Sequence, residues 1–374
     1  MLIYIIMEPR IDRISENNGV LNIYITNANY SVVNAIRRTI LTDIPVVCFK
    51  GFPYEKNLCT ILKNTSGLNN EIIKHRLSCI PVHMDPDEDI YKTLKIIIDK
   101  KNTEEEIMYV TTEDITIFDK TTNIQMKQED VKQIFPPNAI TNQYIDILRL
   151  KQPLSSNIPG EEFHLEAELD VGMAKEDGAY NVVSLCSYIN TLDTIAANDI
   201  WIQKEKEMTS KKESKENIEY AKKNWFLLEA NRVVVENSFD FSIQSIGIYP
   251  NELIFKKACL ILVKKLTDIQ EKIQSDSVII NKPISTNENS YEIILQDVDH
   301  TLGKVMEYVL YEIYYTQRKL ITFCGFTKKH PHDTYSIIKL AFPEAVETGI
   351  VRDYIVTSIQ ESIRMFSSLL SNIS

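Results

Sequence analysis

Two stretches of this sequence, one near each end, run through the same order of elements, and that repetition limits the fold more than any other feature. In the first, residues 21–26 alternate apolar and polar as a strand does. Asn27-Ala28-Asn29 then supplies a polar turn, and residues 31–42 carry Val33, Ile36 and Ile40 at helical spacing. In the second, a strand at 291–295 leads into a helix from Asp299 to Tyr314, with Leu302, Met306, Val309 and Ile313 on one face. Two strands around the turn His330-Pro331-His332-Asp333 and a closing helix striped by Ile355, Ile359, Ile363, Phe366, Leu370 and Ile373 complete it. The fold class is therefore α+β. Two such units in one chain can pair with each other as an intramolecular pseudo-dimer.

The first unit is interrupted. Pro45 ends its helix at Ile44, a β-rich run follows at 46–49, and a short helix at 70–78 is stopped by Pro81. From 85 to 190 the chain turns to short β-like segments at 95–98, 107–111, 115–118 and 163–169, separated by acidic and proline-containing turns. More than half of residues 204–223 are charged, with both signs mixed, as in a solvated helix or loop. The unit resumes with a strand at 239–248 and a long helix that Pro250 helps to start. There Phe255, Cys259, Leu262, Leu266, Ile269 and Ile273 alternate spacings of four and three, the seam of a helix packed lengthwise on another. The polar segment 275–290, rich in Asn and Ser and broken by Pro283, reads as a linker without a packing role. The expected division is a discontinuous first unit (1–84 and 224–275), a mostly β insertion with its charged connector (85–223), a linker (276–289) and a second unit (290–374).

Composition narrows the chemistry. A net charge of −11 argues against a surface whose main task is to neutralise phosphates. No apolar run reaches the ~18 residues of a membrane-spanning helix. The apolar start, residues 1–7, has no Lys or Arg before it, so it reads as a strand or disordered leader rather than a secretory signal. The 6 cysteines stand singly, without a C-x-x-C pair, as reduced and mostly buried thiols of a cytosolic or nuclear protein. Cys79 and His83 have a ligand-like interval, but Pro81 between them breaks the helix that would align them. His330 and His332 lie in a good turn with no second ligand pair nearby. Neither metal nor cofactor is expected. Only 10 glycines are present, no phosphate-cradling loop and no G-x-S-x-G elbow occurs, and Glu104-Glu105-Glu106 reads as a solvated loop, so the chain by itself is not expected to be an enzyme.

Asn34-Ala35-Ile36-Arg37-Arg38-Thr39-Ile40-Leu41, followed by Asp43-Ile44-Pro45, resembles the signature helix of the RNA polymerase alpha family: bacterial alpha, its archaeal D counterpart and the third-largest eukaryotic subunit. Residues 73–82, Ile-Lys-His-Arg-Leu-Ser-Cys-Ile-Pro-Val, resemble that family's second signature, and Gly172-Met173-Ala174-Lys175-Glu176 its G-x-A-K-x segment. Asp299-His300-Thr301-Leu302-Gly303 and residues 323–331, Phe-Cys-Gly-Phe-Thr-Lys-Lys-His-Pro, resemble the small partner subunit, archaeal L or its eukaryotic equivalent. The resemblance covers nearly the whole chain, large partner before small.

It implies a non-catalytic scaffold subunit of a DNA-directed RNA polymerase that nucleates assembly of the two largest subunits, beside small platform subunits, and meets DNA only through the complex. Fusion of both partners resembles the arrangement in large cytoplasmic DNA viruses. That implies host cytoplasm and virion as locations; otherwise nucleus or cytoplasm, with no membrane. The cysteine cluster that cellular members often carry in the inserted domain is missing from 85–160, so its metal is not carried over.

Asn34, Arg37, Arg38, His75, Arg76 and Leu77 are the expected assembly interface. Arg37 and Arg38 lie off the apolar stripe, free for bidentate contacts with a partner. Internal dimerisation falls to Leu262, Leu266, Ile269, Leu302, Gly303, Met306, Ile359 and Phe366. Glycine is costly inside a helix, so Gly303 implies another backbone close by. The alternative is a nucleic-acid-binding transcription accessory protein, for which Lys328-Lys329-His330 is the compact basic candidate.

Overall fold

The computed structural model describes residues 8–155, 157–275, 277–283 and 289–373. The leader at 1–7 and the linker residues 276 and 284–288 lie outside the described residues. The chain divides into two compact units. One is built from described residues within Met1–Thr39, Leu185–Gln244 and Phe255–Ser374, the other from Ile40–Ser184 and Ser245–Ile254.

The chain opens with an antiparallel hairpin of β1 (Arg10–Asn17) and β2 (Val20–Thr26). Asn18 and Gly19 join them, with φ of 52° and 74°, the left-handed pair that a two-residue hairpin turn requires. β2 alternates buried Leu21, Ile23 and Ile25 with half-exposed Asn22 and Tyr24, as its pattern predicts, and leads into α1 (Tyr30–Thr42).

The second compact unit follows with β3 (Pro45–Phe49), β4 (Cys59–Asn64), α2 (Asn70–Ser78), β5 (Leu94–Lys101), β6 (Met108–Thr111), β7 (Thr116–Asp119), α3 (Gln128–Ile134), β8 (Asp146–Leu150), β9 (Glu162–Ala167) and β10 (Leu169–Met173). Its antiparallel sheet has the order β4-β9-β5-β7, while β3 pairs with β10 and β6 with β8. Residues 40–84, grouped by sequence order with the first unit, share a core here with the β segment. Phe49, Ile73 and Leu77 are buried with Ile96, Ile117 and Leu165. The reason is pairing, since β3 and β4 find their hydrogen-bond partners on β10 and β9.

Next come β11 (Val183–Leu192), α4 (Thr194–Ser210), α5 (Lys215–Leu227), β12 (Val234–Ser245) and α6 (Asn251–Gln274). β12 completes the first sheet, β1-β2-β12-β11. The charged connector is a helix pair held by Ala197, Trp201, Trp225 and Ala230, with the Lys204 ammonium 3.7 Å over the Trp225 ring. All six seam residues of α6 are buried, and Phe255 meets Phe241 of β12 edge to face at 5.9 Å.

The last stretch is β13 (Ile279–Asn281), β14 (Ser290–Gln296), α7 (His300–Leu310), β15 (Phe323–Thr327), β16 (Tyr335–Ala341) and α8 (Thr348–Asn372). Its antiparallel sheet runs β13-β14-β16-β15. Two expectations change here. The linker is not without packing, because β13 pairs with β14 and sets Ile279 and Ile280 against Ile294 and Ile293. On α8 the buried face includes Ser358, Ser362, Met365 and Leu369, whereas Ile363 and Leu370 are half-buried. The serine hydroxyls donate to Ile355 O and Ser358 O, each at 2.7 Å, which satisfies them inside the core.

The chain takes the same backbone path after β2 and after β14. Asn27 after β2 and Asp297 after β14 both take left-handed φ, 52° and 58°, a conformation that short polar side chains tolerate. Two residues on, Asn29 Oδ1 accepts from Ser31 N and Asp299 Oδ1 from Thr301 N, each at 2.9 Å, capping α1 and α7 alike.

Candidate functional site

In the first compact unit, the expected interface helix α1 meets the start of α7. Arg38 Nε donates to Thr301 Oγ1 at 2.8 Å and Nη2 to Asp299 Oδ2 at 3.1 Å, so this arginine is not free for an external partner as its place off the stripe implied. Sequence spacing could not show it, because the acceptors lie 263 and 261 positions further along the chain. Arg37 donates through Nε and Nη2 to Asn34 Oδ1 at 3.1 and 2.9 Å, one turn back on its own helix. At the matching positions of α7, Lys304 and Glu307 form an ion pair at 2.5 Å.

Burial on its own raises the Asp299 carboxyl. The bonds from Thr301 and Arg38 outweigh it and hold the group below its ordinary value. A carboxyl depressed by folding stabilises the fold above its unfolded value near ~3.9, and that contribution disappears as pH falls through the folded value. Stability measured by denaturant titration should therefore begin to fall as pH drops below about 5 and go on falling until the depressed folded value is passed, and Asp299→Asn should make that fall shallower. An unchanged acid slope in the variant would show that the carboxyl is not held this way.

The residues expected at the internal seam are buried: Leu262, Leu266, Met306, Ile359 and Phe366 at 0%, Leu302 at 5% and Ile269 at 7% exposure. α7 packs on α8 and on β15. Gly303 is explained differently from the expectation. A Cβ there would lie 2.1 Å from the Phe326 ring, so its neighbour is an aromatic side chain of β15 rather than another backbone. His300 meets the other side of the same motif, its ring 5.1 Å from Phe326 and edge to face.

In the second compact unit, Asn69 caps α2 through a bond from Ile72 N at 2.9 Å, and the helix presents its residues in two directions. Leu77 points into the core at 0% exposure, which removes it from the expected interface; its four-residue offset from Ile73 places both on the apolar stripe. His75 and Arg76 are exposed. The His75 ring stacks on Phe52 at 4.2 Å, and Arg76 Nη2 donates to Asp146 O at 2.6 Å. With Ile72, Cys79, Ile80 and Ile145 they line an open, mainly apolar depression of ≈ 410 Å³.

Lys50 was not singled out from sequence, yet it ties the end of β3 to β10 and to the segment that follows it. Its ammonium, 9% exposed, lies 2.7 Å from Asp170 and 3.9 Å from Glu176, and Lys175 Nζ reaches Asp43 at 3.7 Å. Burial acts to raise Asp170, but the bond from Lys50 prevails and keeps that carboxyl below its usual range. A lysine immediately after a buried β run, opposite an acid-containing strand, was the available signal. Gly172 opens the space beside them, since a Cβ there would sit 2.6 Å from the Tyr180 ring.

Burial pushes Cys48, Cys59, Cys186 and Cys324 up to about 12, keeping them protonated near neutral pH. Among the described residues no three His, Cys, Asp or Glu side chains converge on a metal position, and no helix is long and apolar enough to cross a membrane. Lys329 and His330 are exposed at the turn after β15, where His330 N donates to Asp333 Oδ2 at 3.0 Å.

Residues 22–266 match the family described as the RNA polymerase Rpb3/Rpb11 dimerisation domain. The chain is 22% identical over 309 residues to the DNA-directed RNA polymerases I and III subunit rpac1 of Dictyostelium discoideum, covering 71% of this chain and 81% of that one. It is 25% identical over 269 residues to the DNA-directed RNA polymerase subunit Rpo3 of Pyrobaculum islandicum, 66% of this chain and 88% of the relative. It is also 21% identical over 336 residues to a putative DNA-directed RNA polymerase subunit of Acanthamoeba polyphaga mimivirus, 84% of this chain and 79% of the viral one.

Proposed function

The chain belongs to the RNA polymerase Rpb3/Rpb11 dimerisation-domain family, and we propose that it is the non-catalytic platform on which the two largest subunits of a DNA-directed RNA polymerase assemble. The observation that carries this reading is the doubled strand, left-handed turn and capped helix, with α1 of one copy bonded to the start of α7 in the other through Arg38, Asp299 and Thr301. Two similar units joined this way form an internal pseudo-dimer. By sequence order its halves are 1–84 with 224–275 and 290–374, with 85–223 as the insertion and 276–289 as the connection between halves. Leu262, Leu266, Ile269, Leu302, Gly303, Met306, Ile359 and Phe366 supply its interior. Both partners in one polypeptide, and the mimivirus relative, favour a viral polymerase acting in the host cytoplasm and carried in the virion.

The outward assembly contacts are Asn34, Arg37, His75 and Arg76, with the apolar depression beside α2 as the seat for a large or small platform subunit. A tagged copy should co-purify with the two largest polymerase subunits. His75→Ala with Arg76→Glu should leave the thermal melt of the isolated chain nearly unchanged, because surface substitutions shift stability by about 0.5 kcal/mol. Losing a charge-assisted contact in a desolvated interface costs about 2–5 kcal/mol, enough to empty the pull-down of large subunits. Full recovery of those subunits with the double variant would remove α2 from the interface.

A further inference from the structure

We propose that Arg38, Asp299 and Thr301 form a pairing code that makes the first half accept the second half of this chain and reject another copy of itself. The inference rests on the reading of residues 290–374 as the second pairing half.

Register carries the argument. In the repeat, Asn29 occupies the position of Asp299, Ser31 that of Thr301, and Tyr308 that of Arg38. Pairing first half with second puts a guanidinium against a carboxylate and a hydroxyl, at 3.1 and 2.8 Å. The same geometry between two first halves sets Arg38 against neutral Asn29, and between two second halves sets Asp299 against a tyrosine. The neighbouring positions invert as well. α1 carries Arg37 and Arg38 with no acid, while α7 and its cap carry Asp299, Lys304 and Glu307. Specificity is a difference between affinities, and each like-with-like pair loses the attractive contact while the mixed pair keeps it.

The Arg38 and Asp299 side chains are 42% and 49% exposed, so solvent screens part of their attraction. The second bond, to Thr301, fixes the fork in one orientation. Losing this contact and setting like charges together should weaken pairing by about tenfold.

The test uses the full chain, with a protease site placed between Pro283 and Asn289 and cut only after folding. Native mass spectrometry on dilution then gives the dissociation constant of the two fragments. The unsubstituted pair should stay one-to-one and mixed. Fragments that fall apart would overturn the two-half reading itself and the inference with it, whereas like-with-like pairs of comparable abundance would overturn the pairing code alone.

Arg38→Glu should raise the dissociation constant about tenfold. Asp299→Asn keeps the α7 cap, because asparagine caps as well as aspartate. It should weaken pairing severalfold in the unsubstituted chain and strengthen it in the Arg38→Glu background. That reversal of sign reports charge and not packing. Asp299→Asn acting in the same direction in both backgrounds, or Arg38→Glu pairing normally, would refute the proposal.

Discussion

Leu266→Ala should destabilise the protein by about 2–5 kcal/mol, while Leu260→Ala, six residues earlier on the same helix, should change it by about 0.5 kcal/mol or less. The two leucines have the same chemistry and the same helical environment along the chain. Leu266 is 0% exposed and Leu260 is 51% exposed, so only the first leaves a cavity when truncated. The cost combines the lost transfer of buried methyl groups with the void that surrounding side chains fill incompletely. In a domain of this size about 1 kcal/mol corresponds to roughly 2–4 °C of melting temperature, so the first variant should melt several degrees early and the second should not. Equal melting of the two would mean that the seam of α6 is not part of the core. The same comparison extends to assembly, since a seam variant that is merely less stable should still recruit polymerase subunits at low temperature.

That seam was legible because its period is long and unbroken. So were the elements on which the family-like motifs sit: α1, α2, α7 and the hairpin of β15 and β16 begin and end close to where caps, prolines and alternation place them. Other features left no such trace. β1 is almost wholly exposed, so it shows no alternation, and its signal was the Asn18-Gly19 turn beside it. Ser358 and Ser362 are outside the apolar stripe that spacing picks out, and their burial depends on hydroxyls bonded within α8. The grouping of residues 40–84 with the β segment depends on strand pairing between residues more than a hundred positions apart, which periodicity does not encode.

The candidate interface shows the same divide. Helical spacing correctly marked Arg37 and Arg38 as off the apolar stripe, but what meets an off-stripe residue depends on tertiary placement. Arg38 is bonded within the chain, and Leu77 lies on the buried stripe of α2 rather than off it. Lys50 gave only a weak signal, since a single lysine after a strand is ordinarily a solvated end.

Gly303→Ala should also destabilise, although alanine is the better helix former by about 1 kcal/mol. A Cβ at this position would lie 2.1 to 2.4 Å from three atoms of the Phe326 ring, well inside contact distance. Phe326 is 7% exposed and is fixed in β15, where it pairs opposite Ile338, so the ring cannot swing into solvent without uncovering the core. Overpacking costs about 1–3 kcal/mol, and contacts this short put it in the upper part of that range, so the helix-propensity gain offsets only part of it. The variant should lose about 1–2 kcal/mol and melt a few degrees early. Phe326→Leu removes the ring and leaves room for the added methyl group. By itself it should destabilise, through lost aromatic area and the contact with His300. In the Gly303→Ala background it should cost less than it does alone, giving a coupling of about 1 kcal/mol in a double-mutant cycle. Strict additivity of the two substitutions would show that the glycine serves something other than the ring, and a Gly303→Ala protein at least as stable as the original would show that β15 yields without cost.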